Sequence, residues 1–164
     1  MSAEIRYFFS DLYDNDIDLD NQGTSSMISA LDIFLLKKAI NDIDIRIHDE
    51  IIEKIWQLGS LEEGWDSYAG SPIADNAIIN ANLFLSKIVE EGLVFKRPTV
   101  SPEPNGGVLL KWWENKREFL VWFTPHQQNC IYVEVFSGLR TGGKVDSLDK
   151  LFVIFKKWIG ECLL

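Results

Sequence analysis

Histidine and cysteine, from which many small catalytic and metal sites are built, are scarce in this chain. It has two histidines, His48 and His126, and two cysteines, Cys130 and Cys162, in 164 residues. None is spaced as a zinc ligand set, and two cysteines make no disulfide framework, so a reduced, cytoplasmic setting is expected. No apolar run is long enough to cross a bilayer, and MSAEIRYFF lacks the basic stretch and cleavage pattern of a secretory leader. Phosphate loops of Walker or dinucleotide type, a G-x-S-x-G elbow and an H-E-x-x-H helix are all missing. Positive charge is short as well. The net charge of −9 works against unaided binding to a nucleic-acid backbone, where cations supply most of the affinity.

Apolar residues are plentiful. They make up 46% of the chain against 25% charged, the balance of a globular domain able to bury a core. Charge is uneven: residues 1–92 carry 18 acids and 6 bases, residues 93–164 carry 7 acids and 10 bases. The halves stand at −12 and +3, and solvation is the simplest reason for the acidic half.

The strongest pattern lies between Gly107 and Phe136. Val108, Leu110 and Trp112 alternate with Leu109, Lys111 and Trp113; Phe119, Val121 and Phe123 alternate with Leu120 and Trp122; Ile131, Val133 and Val135 alternate with Tyr132, Glu134 and Phe136. Branched and aromatic residues at period two predict three antiparallel strands. Glu114–Arg117 has hairpin length, and Asn115 tolerates the left-handed backbone that such turns require. Pro125 closes the second strand at a break that runs to Asn129. The prolines of 97–104 predict a blunted edge strand, and Asn105-Gly106-Gly107 a turn into the sheet. Both faces of the meander are apolar, although a small antiparallel sheet normally keeps one face wet. Either helices cover both faces or one face meets a partner.

Elsewhere the signals are helical. Glu4–Tyr13 is read as strand rather than short helix, followed by the acidic loop Asp14–Asp20. That loop fails as a calcium site, because neither register puts glycine at the sixth position and glutamate at the twelfth. Helices are expected over 27–40, over about 49–58 with Ile51, Ile52, Ile55 and Trp56 buried, and from Ser71-Pro72 to about Glu91. A last helix follows a capping pair formed by Asp146 and Asp149. It buries Leu148, Leu151, Phe152, Phe155, Trp158, Ile159 and Cys162. Ser137–Gly143 is expected to be a flexible loop. The sum is one α+β domain over 1–164: an N-terminal segment (1–26), a helical part (27–92), a meander of three to five strands (97–136) and a C-terminal helix (147–164), about four helices in all.

Two groups of residues are candidates for function. Trp112, Trp113, Trp122 and Tyr132 could anchor a protein partner through the sheet, because aromatics dominate binding hot spots. The loop from Glu62 to Tyr68 gathers Glu62, Glu63 and Asp66 beside Trp65 and Tyr68. A carboxylate pair for acid–base work could sit there, or Trp65 could plug the core while Asp66 accepts from the loop's own amides.

Gly64-Trp65-Asp66-Ser67-Tyr68, then Ser71-Pro72-Ile73, an amphipathic helix, and Pro102-Glu103-Pro104-Asn105-Gly106-Gly107-Val108-x-Leu110-x-Trp112 together resemble a widespread group of small bacterial proteins encoded as short orphan reading frames. The likeness spans about Leu61–Val135, with Ala69-Gly70 reversing the expected glycine–alanine order. It implies a prokaryotic or phage origin and brings no catalytic residues with it. The resulting expectation is a non-catalytic protein-binding subunit, of antitoxin, immunity or inhibitor kind, with no cofactor. A homodimer through the sheet is compatible with this, and a small enzyme or ligand-binding domain using the Glu62–Tyr68 loop is the alternative.

Overall fold

The computed structural model describes Leu35, Arg46 and residues 48–93, 97–125 and 130–162. Apart from Leu35, the expected strand at 4–13, the acidic loop and the helix over 27–40 lie outside these residues, as does His126. All described residues except Leu35 belong to one unit, Leu36–Leu164.

Five antiparallel strands form one meander in chain order: β1 (Thr99–Pro102), β2 (Val108–Glu114), β3 (Arg117–Phe123), β4 (Cys130–Phe136) and β5 (Leu139–Val145). Three helices pack on it: α1 over 48–57, α2 (Asp75–Glu90) and α3 (Leu148–Cys162). The architecture is α+β.

Each connection follows from local chemistry. Asn115 and Lys116 both take positive φ (46° and 64°) between the paired Glu114 and Arg117, a two-residue turn whose twist matches the strands. Asn105 Oδ1 accepts from the Gly107 amide at 3.0 Å, and Gly106 turns at φ 85°, so this corner leads from β1 into β2. β1 is four residues long and lies at the sheet edge, as its prolines require.

At Ser137–Gly143, where the residue types predict a flexible loop, the chain makes a tight hairpin. Ser137 and Gly138 take φ of 49° and 83°, Phe136 faces Leu139, and β5 then pairs with all of β4. LRTGGKV lacks the branched and aromatic residues that mark a strand. It is strand because β4 supplies the ladder, and because Gly142 passes so close to Tyr132 that a β-carbon there would collide with the Tyr132 carbonyl oxygen.

The helices bury the stripes that their spacing predicts. α2 contributes Ala77, Ile78, Ala81, Phe84, Leu85 and Ile88; α3 contributes Leu151, Phe152, Phe155, Trp158, Ile159 and Cys162. Phe155 is the hub, with ring centroids 4.8 Å from Trp112, 5.2 Å from Phe119, 5.5 Å from Phe84 and 5.8 Å from Trp158. Such aromatic pairs add to the area term by roughly 0.5–1.5 kcal/mol each.

The helix ends differ from expectation. α2 starts at Asp75, not at Ser71-Pro72. Ser71 and Ala74 are held extended, their amides donating to the carbonyls of Pro104 and Gly106 (both 2.9 Å), so the capping serine is used elsewhere. α2 does stop at Gly92 as expected: Gly92 (φ 66°) donates to Val89, and Leu93 to Ile88, satisfying carbonyls of the last turn. At α3 the cap is Ser147, whose hydroxyl accepts from the Lys150 amide, while Asp146 pairs with the Lys150 ammonium and Asp149 with Lys87. In α1, Ile51 and Ile55 are buried and Ile52 half-buried, but Trp56 points outward, 55% exposed.

Candidate functional site

Register decides which face each strand residue serves. Val108, Leu110, Trp112, Phe119, Val121, Phe123, Cys130 and Val145 form the inner face and enter one core with the three helices. Their chain neighbours point the other way. Across the outer face Leu109, Trp122 and Ile131 stand in one row, with Lys144 at its end; Lys111, Leu120, Val133 and Gly142 form the next; Trp113, Glu118, Val135 and Arg140 the third.

The outer face therefore carries a strip of six aliphatic or aromatic side chains, Leu109, Leu120, Trp122, Ile131, Val133 and Val135. The buried apolar residues of the three described helices all enter the core on the opposite, inner face. Trp113 is 58% exposed and Ile131 41% exposed, whereas Trp112, one residue from Trp113, is 2% exposed in the core. Between β3 and β5 a shallow groove of about 480 Å³ runs over Leu120, Trp122, Val133 and Val135 to Arg140 and Gly142.

Polar groups frame the strip. Lys111 Nζ lies 2.8 Å from Glu118 and over the Trp113 ring, 5.5 Å from its centroid, which fixes that indole against the sheet. Burial pushes the Glu103 carboxyl above its ordinary range, and the side-chain hydrogen bond from Trp122 draws it partly back. That bond orients Trp122 from the β1 side.

The sequence candidates thus divide. Trp113 and Trp122 share the outer face. Trp112 belongs to the core, and Tyr132 is half-buried on the inner face, stacked on Phe119 at 6.0 Å. Their aromatic character answers to packing. The missed contributors are Arg140, Thr141 and Gly142, which line the groove from a strand whose residues read as loop. The period-two pattern that reveals a strand needs side chains, and glycine has none.

The second candidate, the Glu62–Tyr68 loop, is organised around its own backbone. Asp66 Oδ1 accepts from the amides of Tyr68 and Gly70, each at 2.9 Å, and these bonds hold its carboxyl below the usual carboxylate range. Trp65 is half-buried and does not plug the core. Its indole N–H donates to the Ser71 carbonyl at 3.0 Å, closing the loop onto the segment bonded to Pro104 and Gly106. Glu62, Glu63 and Tyr68 are exposed, Tyr68 at 90%. Gly70 is tight against the Trp65 ring and the Asp66 carboxylate, so the turn has no room for a side chain there. Among the described residues no three His, Cys, Asp or Glu side chains converge as a metal cluster.

No family model, no curated protein and no solved structure matches the chain. What the site can do has to be read from its own chemistry. The loop's hydrogen bonds hold a turn. The outer face offers apolar area, two indoles and a charged rim.

Proposed function

We propose that this chain is a non-catalytic interaction protein that binds a protein partner through the outer face of its sheet, with Trp113 and Trp122 as anchors. The observation that carries the reading is the apolar strip from Leu109 to Val135 on a face against which no described helix packs, bordered by a tryptophan 58% exposed. Water-facing sheets alternate apolar and polar residues, and a contiguous apolar patch left exposed marks a contact surface or an aggregation liability. The rim of Lys111, Glu118 and Arg140 gives such a contact its register and adds little to its affinity.

The likeness to short bacterial reading frames and the small acidic chain support a regulatory partner-binder of antitoxin, immunity or inhibitor kind, from a bacterium or its mobile elements. The test is a pull-down from the native host with three proteins: wild type, the Trp113→Ala/Ile131→Ala double variant, and Tyr68→Ala as a control on the exposed loop. A stoichiometric partner retained by Tyr68→Ala and lost by the double variant, with unchanged circular dichroism, supports the reading. A partner that survives the double variant overturns it. Light scattering on the purified chain separates this from a homodimer formed through the same face.

A further inference from the structure

The two edges of the sheet are built differently. β1 is four residues long, ends at Pro102 and lies between Pro98 and Pro104, so it offers little to a pairing strand. β5 is seven residues long, contains no proline, and is exposed at every position before Val145. It pairs with β4 on one side, and among the described residues no strand lies on its other side.

The hairpin fixes what that edge displays. In a two-residue turn the flanking pair, here Phe136 and Leu139, exchanges both backbone hydrogen bonds, and bonded pairs alternate along the ladder. Thr141 and Gly143 therefore bond inward to Glu134 and Tyr132, and Arg140 and Gly142 direct N–H and C=O outward. Arg140 lies on the outer-face row of Trp113, Glu118 and Val135, and Gly142, tight against the β4 backbone, lines the groove without a side chain to cover Leu120, Trp122 and Val133.

We propose that β5 is a docking edge that takes an extended acidic–aromatic segment of another protein as a sixth antiparallel strand. Arg140, which makes no ion pair among the described residues, selects an acid on the incoming strand. With no side chain at Gly142 to cover it, the groove over Leu120, Trp122 and Val133 takes an aromatic side chain two residues away. A second copy of this chain is a poor occupant. Full two-fold pairing of β5 with itself, centred on Gly142, would set Arg140 opposite Lys144 twice, and like charges directly opposite destabilise a ladder. The proposal rests in part on the outer-face reading, because the groove shares Leu120, Trp122, Val133 and Val135 with the strip, but Trp113 and Ile131 do not line it and so separate the two.

The experiment titrates the full chain with synthetic peptides of alternating pattern bearing glutamate and phenylalanine two residues apart, followed by calorimetry. Three peptide changes are compared: lysine for glutamate, and N-methylation at each of two adjacent backbone positions. Strand addition predicts that one N-methyl position costs at least about tenfold in affinity while its neighbour costs little, the period-two signature of a ladder. It predicts that the lysine peptide binds more weakly, with the gap closing at high salt. Arg140→Pro removes an outward donor while sparing the β4 ladder, so this variant should keep its circular dichroism and lose the peptide. Arg140→Ala should lose only the preference for acid. Trp113→Ala/Ile131→Ala should bind the peptide normally, even where it loses the host partner. Equal sensitivity at the two N-methyl positions, no preference between acid and lysine, or no binding at millimolar peptide overturns the proposal. So does a dimer in light scattering that Arg140→Pro dissociates, because the edge would then belong to a second copy. If Arg140→Pro does not fold, the N-methyl comparison still decides.

Discussion

Trp112 and Trp113 are neighbours in sequence and opposites in environment, and replacing each in turn tests which face of the sheet is core. A tryptophan side chain carries roughly 200 Å² of surface, worth about 5 kcal/mol when removed from water at about 25 cal/mol per Å². Trp112, at 2% exposure, realises nearly all of it and also packs on Phe84, Phe119 and Phe155. Trp113, at 58% exposure, realises less than half, about 2 kcal/mol, with about 0.5–1 kcal/mol more from Lys111 over its ring. These are upper values, because denatured chains are partly compact, but their difference of about 3 kcal/mol is sturdier than either. Urea unfolding followed by circular dichroism reads it directly. With a slope of about 2 kcal/mol per molar, Trp112→Ala should unfold at a midpoint about 1.5 M below that of Trp113→Ala. Equal midpoints, or a larger loss for Trp113→Ala, would refute the assignment of faces: the outer face would then be packed, and its strip would be core rather than contact surface.

Four further outcomes are expected. Gly142→Ala should destabilise by roughly 1–3 kcal/mol through the collision with the Tyr132 carbonyl, read as a lower unfolding midpoint, whereas Gly160→Ala, with open space around it, should be neutral or slightly stabilising. Asp66 is held below its ordinary range by the amides of Tyr68 and Gly70, so the unfolded chain takes up its proton first. Its contribution is complete above the ordinary carboxylate range and is lost as pH falls through the lower folded value. Acid melting curves of wild type and Asp66→Asn should therefore diverge at neutral pH and converge in acid. Glu134 has the opposite sign. Burial first, then Glu161, raises it, so its carboxylate weakens the fold as pH rises through that window, and Glu134→Gln should gain stability relative to wild type at neutral pH. Burial pushes the Cys130 and Cys162 thiols up to about 11, so neither should react with iodoacetamide at pH 8 until denaturant is added, as followed by mass spectrometry.

The fold is legible in the sequence wherever side chains carry a period. The alternation of Val108–Trp113, Phe119–Phe123 and Ile131–Phe136 places three strands. The three-and-four spacing of Ala77–Ile88 and Leu151–Cys162 places two helices with their buried faces. The misreadings have one cause: chemistry satisfied over long range rather than locally. Ser71 reads as a helix cap, but its amide is claimed by Pro104, 33 residues on. Leu139–Val145 reads as loop because its strand character comes from β4 and not from its own residues. Trp56 fits a helical stripe but sits at its outer margin. For the candidate site, the two apolar faces of the meander are visible in sequence, yet which face the helices take is not. The parity of each strand is local, whereas its direction relative to α2 and α3 is set by the whole chain.

The loop and the corner explain each other. Trp65 donates to Ser71, Ser71 to Pro104 and Ala74 to Gly106, so that Gly64–Ile73 and Pro102–Val108 close into a single hydrogen-bonded unit at the start of β2. Asp66 turns the loop, Gly70 fits between the Trp65 ring and the Asp66 carboxylate, and Gly106 turns the corner at φ 85° with the Pro72 carbonyl 2.8 Å from where a β-carbon would stand. Trp65, Asp66, Ser71, Pro104, Asn105 and Gly106 each have a packing or backbone task in this unit. On that ground the aromatic, acidic and glycine residues of the loop are accounted for by the turn and corner that they build.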